Sequence, residues 1–171
     1  ETEPEIPGFE ILDTVGNGAG SIVYKALDIA EQRVCAIKHV TRRTVAAIEQ
    51  ARRSARNGSS RVGAHAQLDY RSFFDQIRNE YRVLRTLDRT TYSPHLVQVY
   101  HLRTIRRWLR VFGYDLIMEF VEGTKVSDLS ALSEKGFDLE TIADRGADLI
   151  LEQIFEHGFF HADPHPGNIL I

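Results

Sequence analysis

Residues 9–40 read FEILDTVGNGAGSIVYKALDIAEQRVCAIKHV, and this stretch indicates the fold. Phe9 to Val15 is predicted to be a strand, and the glycine-rich run that begins at Gly16 is predicted to be a tight turn. A second strand from Ile22 to Leu27 and a third from Arg33 to Val40 follow, with a short polar turn between them. The chain is therefore expected to open as a three-stranded antiparallel meander.

The rest of the chain alternates between helical and extended patterns. We expect helices over 41–56, 70–87 and 139–157, strands over 96–102 and 114–120, and a new strand from Ile169. The arginine-rich segment 103–110 is expected to be a connection. On a helical wheel for 70–87, Phe73, Leu84 and Leu87 fall within about 80° of Ile77, and Glu80 lies in the same arc. Because a carboxylate on an apolar stripe is costly to bury alone, Glu80 is expected to find a cation or water.

Composition is ordinary for a globular protein, with 171 residues, 43% hydrophobic, 26% charged and a formal net charge of -3. These values exclude disordered, collagen-like and disulfide-scaffold chains. Cys35 is the single cysteine, which excludes an internal disulfide and a cysteine-based zinc site and fits a reducing compartment. No apolar run reaches the roughly 18 residues that span a bilayer. Since the chain begins at Glu1 and stops after an apolar run, we expect a piece of a longer protein.

Charge is unevenly distributed along the chain. Residues 1–110 carry a net +6 and residues 111–171 carry a net -9. One interpretation is two lobes with different solvated faces. The other is a basic face on the first half that meets an acidic partner, a membrane surface or a nucleic acid. The Arg-rich insertion at about 41–69 also has two interpretations: it is a solvated insertion without a role, or it is a docking or regulatory arm.

Three groups of residues point to nucleotide chemistry. The glycines at 16, 18 and 20 could lay backbone N–H groups over phosphates, although most such turns are only turns. Lys38 on the third strand could be a solvated lysine, or Glu80 could hold it so that its ammonium meets the phosphates of a nucleotide. Asp163 and Asn168, five residues apart in HADPHPGN at 161–168, could orient a hydroxyl nucleophile and bind Mg²⁺. A metal site made by the two histidines and the aspartate is the alternative for this loop.

The order of these parts resembles the protein-kinase superfamily. Residues 7–120 are similar to bacterial Ser/Thr protein kinases in the run Pro7–Leu12 and in the loop Gly16–Ser21. From about Met118 onward the chain resembles the UbiB-type atypical kinases of coenzyme Q biology, through GFFHADPHPGN at 158–168. That family usually has an Ala-rich nucleotide loop and an N-terminal Lys-x-Gly-Gln extension, and neither is present. The chain mixes features of two branches or joins pieces of both.

The resemblance implies an α+β, protein-kinase-like fold. It would consist of an N-terminal extension at 1–8, an N-lobe at 9–121 with a five-stranded antiparallel sheet and an αC-type helix, and the start of a helical C-lobe at 122–171. Nucleotide would bind in the cleft between the lobes. The chain stops before the Asp-Phe-Gly motif of the family, whose Asp holds a catalytic Mg²⁺ ion, so these 171 residues alone are expected to be nearly inactive.

The resemblance also implies a role for each matching residue, with ATP and Mg²⁺ as the cofactors. ATP contacts would come from Gly16, Gly18, Gly20 and Ser21 over the phosphates, Val23 and Ala36 on the adenine, Met118 at the back of the pocket, and backbone groups of Glu119 and Val121. The catalytic set would be the Lys38–Glu80 ion pair, the base Asp163 and, near the γ-phosphate, His165, with Asn168 as a Mg²⁺ ligand.

Two departures from the family pattern affect regulation and pH dependence. Ala162 stands where an Arg usually grips a phosphorylated activation loop, so activation by that route is not expected. His165 stands where a Lys is usual, and its charge can be lost near neutral pH.

The favoured function is ATP- and Mg²⁺-dependent phosphoryl transfer to protein Ser/Thr hydroxyls. The alternatives are a UbiB-like kinase or ATPase with a quinone-pathway partner, and a pseudokinase or inactive nucleotide-binding fragment. We expect no nucleic-acid partner and no membrane span, and a cytoplasmic location with membrane association only through segments outside this chain.

Overall fold

The structure is a computed structural model, and it describes residues 4–18, 20–56, 69–90, 96–156, 158 and 169–171. The chain divides into two compact units, residues 1–120 and 121–171. The first unit contains β1 (Phe9–Asn17), β2 (Ile22–Asp28), β3 (Arg33–Thr41), α1 (Arg42–Arg56), α2 (Tyr70–Thr90), β4 (Val99–Arg107) and β5 (Arg110–Glu119). The second contains α3 (Leu129–Glu134) and α4 (Leu139–Phe155).

The five strands form one antiparallel sheet in the order β1-β2-β3-β5-β4. The central strands β3 and β5 are largely buried because both of their faces are covered. Strand β1 lies at one edge and is mostly exposed, which explains its polar composition. The predicted α+β class with a five-stranded antiparallel sheet is confirmed.

Each face of the sheet has its own apolar core. On one face, α2 packs Phe74 and Ile77 against Tyr114 and Leu116 of β5. On the other face, the buried apolar residues of the core are Ile6, Tyr24, Ala26, Cys35, Ile37 and Ile117. Ile6 is only 3% exposed, so the segment that precedes β1 covers the sheet on the side opposite α2. We call this side the outer face.

The thiol of Cys35 lies within the outer core and is completely buried. Burial, and to a smaller extent the nearby carboxylate of Asp28, raise the pKa of this thiol to about 11, while Arg33 acts in the opposite direction. The thiol is therefore protonated near neutral pH, and it has the character of a small apolar core group.

Helix α1, which begins the predicted Arg-rich insertion, contributes to the core. Val45 is fully buried against the α2 side of the sheet. The backbone N–H of Thr41 donates to the hydroxyl of Thr44 at 2.8 Å, and the N–H of Thr44 donates to the hydroxyl of Thr41 at 3.1 Å. These two hydroxyls satisfy the free donors where strand β3 turns into helix α1.

The segment 103–110 is a hairpin, so the expectation of a simple connection was wrong. Strand β4 runs to Arg107, β5 begins at Arg110, and Trp108 and Leu109 form the turn between them. Strand β4 is an edge strand, and its outward positions tolerate charged residues because they face water. The Arg-rich composition therefore concealed a strand.

The second unit is described by its two helices and one isolated bridge between Lys125 and Leu170. The carboxylate of Asp138 accepts hydrogen bonds from the backbone N–H of Glu140 at 3.1 Å and from the hydroxyl of Thr141 at 2.6 Å, which caps α4. Those bonds lower the pKa of Asp138, with the hydroxyl of Thr141 as the larger cause. Helix α3 was not predicted, since six residues give too short a pattern to read.

Candidate nucleotide site

Lys38 and Glu80 form a two-pronged ion pair. The Nζ atom of Lys38 donates to Oε1 of Glu80 at 2.9 Å and to Oε2 at 2.6 Å. Their side chains are 26% and 29% exposed, so the pair is half-buried and still reachable from solvent. The structure thus brings together two charges that lie 42 residues apart in the sequence.

The packing of α2 explains how Glu80 reaches Lys38. Phe74 and Ile77 are 8% and 2% exposed, and they fix α2 on the sheet. Glu80 follows Ile77 by three residues, so it lies on the same side of the helix, close to the edge of the buried stripe. Lys38 alternates with Ile37, which points to the outer core, so the side chain of Lys38 faces α2.

The strand register assembles the predicted adenine-side residues around Lys38. Val23 lies directly opposite Lys38 on the neighbouring strand β2. Ala36 lies opposite Met118 on β5. Because opposed residues in an antiparallel pair share a face, Val23, Ala36, Lys38 and Met118 all lie on one face of the sheet. We call this the Lys38 face.

The glycines between β1 and β2 have different surroundings. Gly16 is paired with Val23 in the sheet. Apart from its chain neighbours, no heavy atom lies within 4 Å of the position that a Cβ atom would take at Gly16. The N–H of Gly18 donates to the carbonyl of Ser21 at 2.8 Å, which closes the turn, and Ser21 is only 2% exposed. Gly20 has a φ of +76° and packs against Phe73. Gly16 therefore faces open space, whereas Gly20 is packed against Phe73.

The end of β5 limits what Glu119 can offer to a ligand. Its backbone N–H donates to the carbonyl of Gln98 at 2.8 Å, and its carboxylate accepts from the N–H of Gln98 at 3.1 Å. Any backbone group that Glu119 gives to an adenine must then be its carbonyl oxygen. Val121 is 41% exposed and belongs to the second unit.

The predicted base Asp163, the predicted γ-phosphate residue His165 and the predicted Mg²⁺ ligand Asn168 lie outside the described residues. Their roles stay predictions. Within the ranges that the structure describes, no group of three or more His, Cys, Asp or Glu side chains could hold a metal ion. Over those same ranges, no helix is long and apolar enough to cross a membrane.

A charged network on the outer face was missed by the sequence analysis. The carboxylate of Asp115 is fully buried, and it lies 2.6 Å from Nδ1 of His39 and accepts from Nε and Nη2 of Arg103 at 3.0 and 2.7 Å. Nη1 of Arg103 also donates to the carbonyl of Pro7 at 2.7 Å. An aspartate within the apolar run 114–120 was the available signal, because such a carboxylate needs partners.

A basic cavity borders α2 away from the candidate site. It has a volume of about 370 Å³, and four arginines of α2 line it together with Tyr81, Thr86 and Leu102: Arg78, Arg82, Arg85 and Arg89. Their spacing of four, three and four residues places them on one stripe of the helix. Neither Lys38 nor Glu80 lines this cavity, so the cavity is distinct from the Lys38–Glu80 ion pair.

Comparison with solved structures identifies the fold. The structure described as "PpkA-294 apo form" matches 98% of this chain with a TM-score of 0.64 and 21% identity, and the match covers 56% of that chain. The structure of Rad53 1-466 in complex with AMP-PNP matches 96% of this chain with a TM-score of 0.59 and 23% identity, over 35% of its own length. The fold is protein-kinase-like.

The last third of this kinase-like chain has closer sequence relatives. Residues 114–171 match the model of the ABC1 atypical kinase-like domain. The protein named "Probable protein kinase UbiB" of Cellvibrio japonicus is 48% identical over 56 residues, which are 33% of this chain and 10% of that protein. The chain thus spans about a tenth of the length of this curated relative. The predicted protein-kinase-like resemblance, with a UbiB-type final segment, is confirmed.

Proposed function

We propose that the first unit binds ATP on its Lys38 face. The observation that carries this proposal is the two-pronged Lys38–Glu80 ion pair at 2.6 and 2.9 Å. Glu80 already fixes the ammonium of Lys38 in place. Lys38 can therefore contact the α- and β-phosphates without a further loss of side-chain entropy. Val23 and Ala36 on the same face would cover the adenine, with Met118 behind it. Gly16 would let the backbone approach the phosphates closely.

We further propose that the intact protein is a UbiB-like atypical kinase or ATPase, which transfers or hydrolyses the γ-phosphate of ATP. The match of residues 114–171 supports this branch, because that segment contains Asp163, His165 and Asn168. In this role Asp163 would orient the attacking oxygen and accept its proton, and Asn168 would hold a Mg²⁺ ion. When bound, the ion would neutralise charge that develops on the phosphate oxygens.

Phosphoryl transfer to protein Ser/Thr hydroxyls is the second candidate. The presence of Gly16, Gly18 and Gly20 favours it, since the UbiB-type family usually has an Ala-rich loop at this place. The two candidates differ in the acceptor: a protein hydroxyl leaves phosphoserine or phosphothreonine, whereas an ATPase leaves inorganic phosphate. A radiolabelled γ-phosphate assay on the intact protein distinguishes them by where the label is found.

The ATP proposal is tested by calorimetric titration of the full chain with ATP and Mg²⁺. We expect Lys38→Met to weaken binding by at least about tenfold, because a hydrogen bond to a charged group contributes about 1.5–3 kcal/mol. Glu80→Gln should weaken binding less, since it loosens the ammonium without removing it. Asp75→Asn is the matched control, because it breaks an exposed pair with Arg78 on the same helix, at 3.2 Å.

The control variant should bind ATP like the unchanged chain. If Lys38→Met and the unchanged chain bind ATP with the same affinity, the Lys38 face is not the nucleotide site. Circular dichroism of each variant checks that a loss of binding does not come from a loss of the fold.

A further inference from the structure

The turn between β4 and β5 presents two large apolar side chains to solvent. Trp108 is 98% exposed and Leu109 is 96% exposed, so neither contributes to a core. The two residues are adjacent and form the outermost part of the hairpin. Three arginines flank them, Arg106 and Arg107 before the turn and Arg110 after it. We call these five residues the hairpin tip.

The backbone of the hairpin tip is unfavourable for the residue that it carries. Trp108 has a φ of +57°, whereas Leu109 is not in the positive-φ region. A two-residue turn with positive φ only at its first position prefers Gly there, because Gly has no Cβ. The chain places its single Trp at this position instead. Such an outlier points to a function that requires the side chain.

The charges of the hairpin tip are also unfavourable in isolation. Arg107 and Arg110 lie directly opposite each other in the strand register, and like charges in that arrangement destabilise a sheet. The guanidinium of Arg107 stacks over the ring of Phe112 at 4.5 Å, which holds it at the tip. In the part of the chain that the structure describes, no acidic side chain pairs with Arg106, Arg107 or Arg110. An external anion would compensate this repulsion.

We propose that the hairpin tip binds the surface of an anionic lipid bilayer. Trp prefers the boundary between headgroups and acyl chains, because its ring is apolar and its N–H can still donate a hydrogen bond. Leu109 would enter the acyl region beside Trp108. The arginines around this apolar pair would meet lipid phosphates at the level of the headgroups.

The shape of the hairpin tip favours a bilayer over a pocket in another macromolecule. The tip is the end of a hairpin, and arginines precede and follow its exposed apolar pair in the chain, which complements a flat and uniformly negative surface. This inference goes beyond the proposed ATP binding and does not depend on it, since none of its residues is among those proposed to contact ATP.

The single Trp makes the proposal directly measurable. The full chain is mixed with vesicles of phosphatidylcholine and phosphatidylserine, and with vesicles of phosphatidylcholine alone. We expect the emission of Trp108 to shift to shorter wavelength with the anionic vesicles, and brominated lipids to quench it. Sedimentation with the vesicles gives the bound fraction without relying on fluorescence.

Two sets of variants separate binding from folding. Trp108→Gly removes the aromatic ring and suits the positive φ, so we expect a stability equal to or above that of the unchanged chain together with a loss of vesicle binding. Arg106→Gln with Arg110→Gln should weaken binding by about 25-fold, since each arginine near an anionic surface contributes about fivefold. The control is Arg43→Gln with Arg53→Gln on α1, which removes the same charge elsewhere and should bind almost as well.

Three results would overturn the proposal. The first is no change in Trp108 emission with anionic vesicles. The second is full vesicle binding by Trp108→Gly, which would assign binding to another surface. The third is a shift of Trp108 emission with a single-stranded oligonucleotide and none with vesicles, which would assign the hairpin tip to nucleic acid.

Discussion

Replacing Gly20 by Ala tests how the glycine-rich turn is built. A Cβ atom at this position would lie 2.5 Å from Cδ1 and 2.6 Å from Cε1 of Phe73, and 3.2 Å from Cγ2 of Val45. Val45 is fully buried and Phe73 is partly buried against the same core, so the ring of Phe73 must shift against its packed neighbours to admit a Cβ atom. The φ of +76° adds a backbone cost of about 1–2 kcal/mol for any residue with a Cβ.

The two effects together give the magnitude. Overpacking of a filled core costs about 1–3 kcal/mol. We therefore expect Gly20→Ala to lower the free energy of unfolding by about 2–5 kcal/mol. Gly16→Ala is the matched control: no atom lies within 4 Å of its Cβ, so the change should stay within about 0.5 kcal/mol. The same control should weaken ATP binding, because Gly16 faces the proposed phosphate position.

The assay is urea unfolding followed by far-ultraviolet circular dichroism. Fluorescence is a poor reporter of this transition, because Trp108 is already 98% exposed in the folded chain. Combining Gly20→Ala with Phe73→Leu should recover part of the lost stability, since the shorter side chain removes the ring atoms that the new Cβ meets. If Gly20→Ala unfolds at the same urea concentration as the unchanged chain, the described packing of the turn is wrong.

Three further perturbations test the outer face and the second unit. Asp115→Asn should lower the free energy of unfolding by about 1.5–3 kcal/mol in urea, because it removes the buried carboxylate that pairs with the half-buried guanidinium of Arg103, whereas the exposed Asp75→Asn should change it by less than about 1 kcal/mol. The folded chain keeps the Cys35 proton up to about pH 11, while the unfolded chain releases it near pH 9.0. Stability should therefore fall between these values, by about 2–3 kcal/mol, and Cys35→Ala should lack that decline. Because the pKa of Asp138 is lowered, its contribution to α4 is present above the ordinary value of 3.8 and should be lost as pH falls below it; Asp138→Ala should show no such loss of helical signal.

The strands around the glycine-rich turn were predictable because their signals are local. Alternation of apolar residues and the glycines at 16, 18 and 20 mark β1 to β3 without any knowledge of the fold. Glu80 was found as a carboxylate on an apolar helical stripe, which made it a candidate partner for Lys38, and the resemblance to kinases implied the same ion pair. The contact spans 42 residues, so no local pattern contains it.

The features that were missed depend on long-range packing. The hairpin from Val99 to Glu119 was obscured because an edge strand exposes its arginines as a loop would. The network around Asp115 joins β3, β4, β5 and the segment before β1, and its partners Arg103 and His39 look like ordinary solvated residues in the sequence. The role of Gly20 in packing also requires Phe73, which lies on a helix that begins fifty residues later.

The segment that precedes β1 determines where the first unit should begin when it is expressed on its own. Ile6 is buried in the outer core, the carbonyl of Pro7 accepts from Arg103, and the carbonyl of Gly8 accepts from the N–H of Ile29 at 3.1 Å. A boundary drawn from strand patterns alone would begin at Phe9 and remove all three contacts. It would leave a gap in the outer core and remove one acceptor from the half-buried guanidinium of Arg103. The expressed unit should therefore retain residues 4–8, because this segment covers the outer face of the sheet although it forms no regular secondary structure.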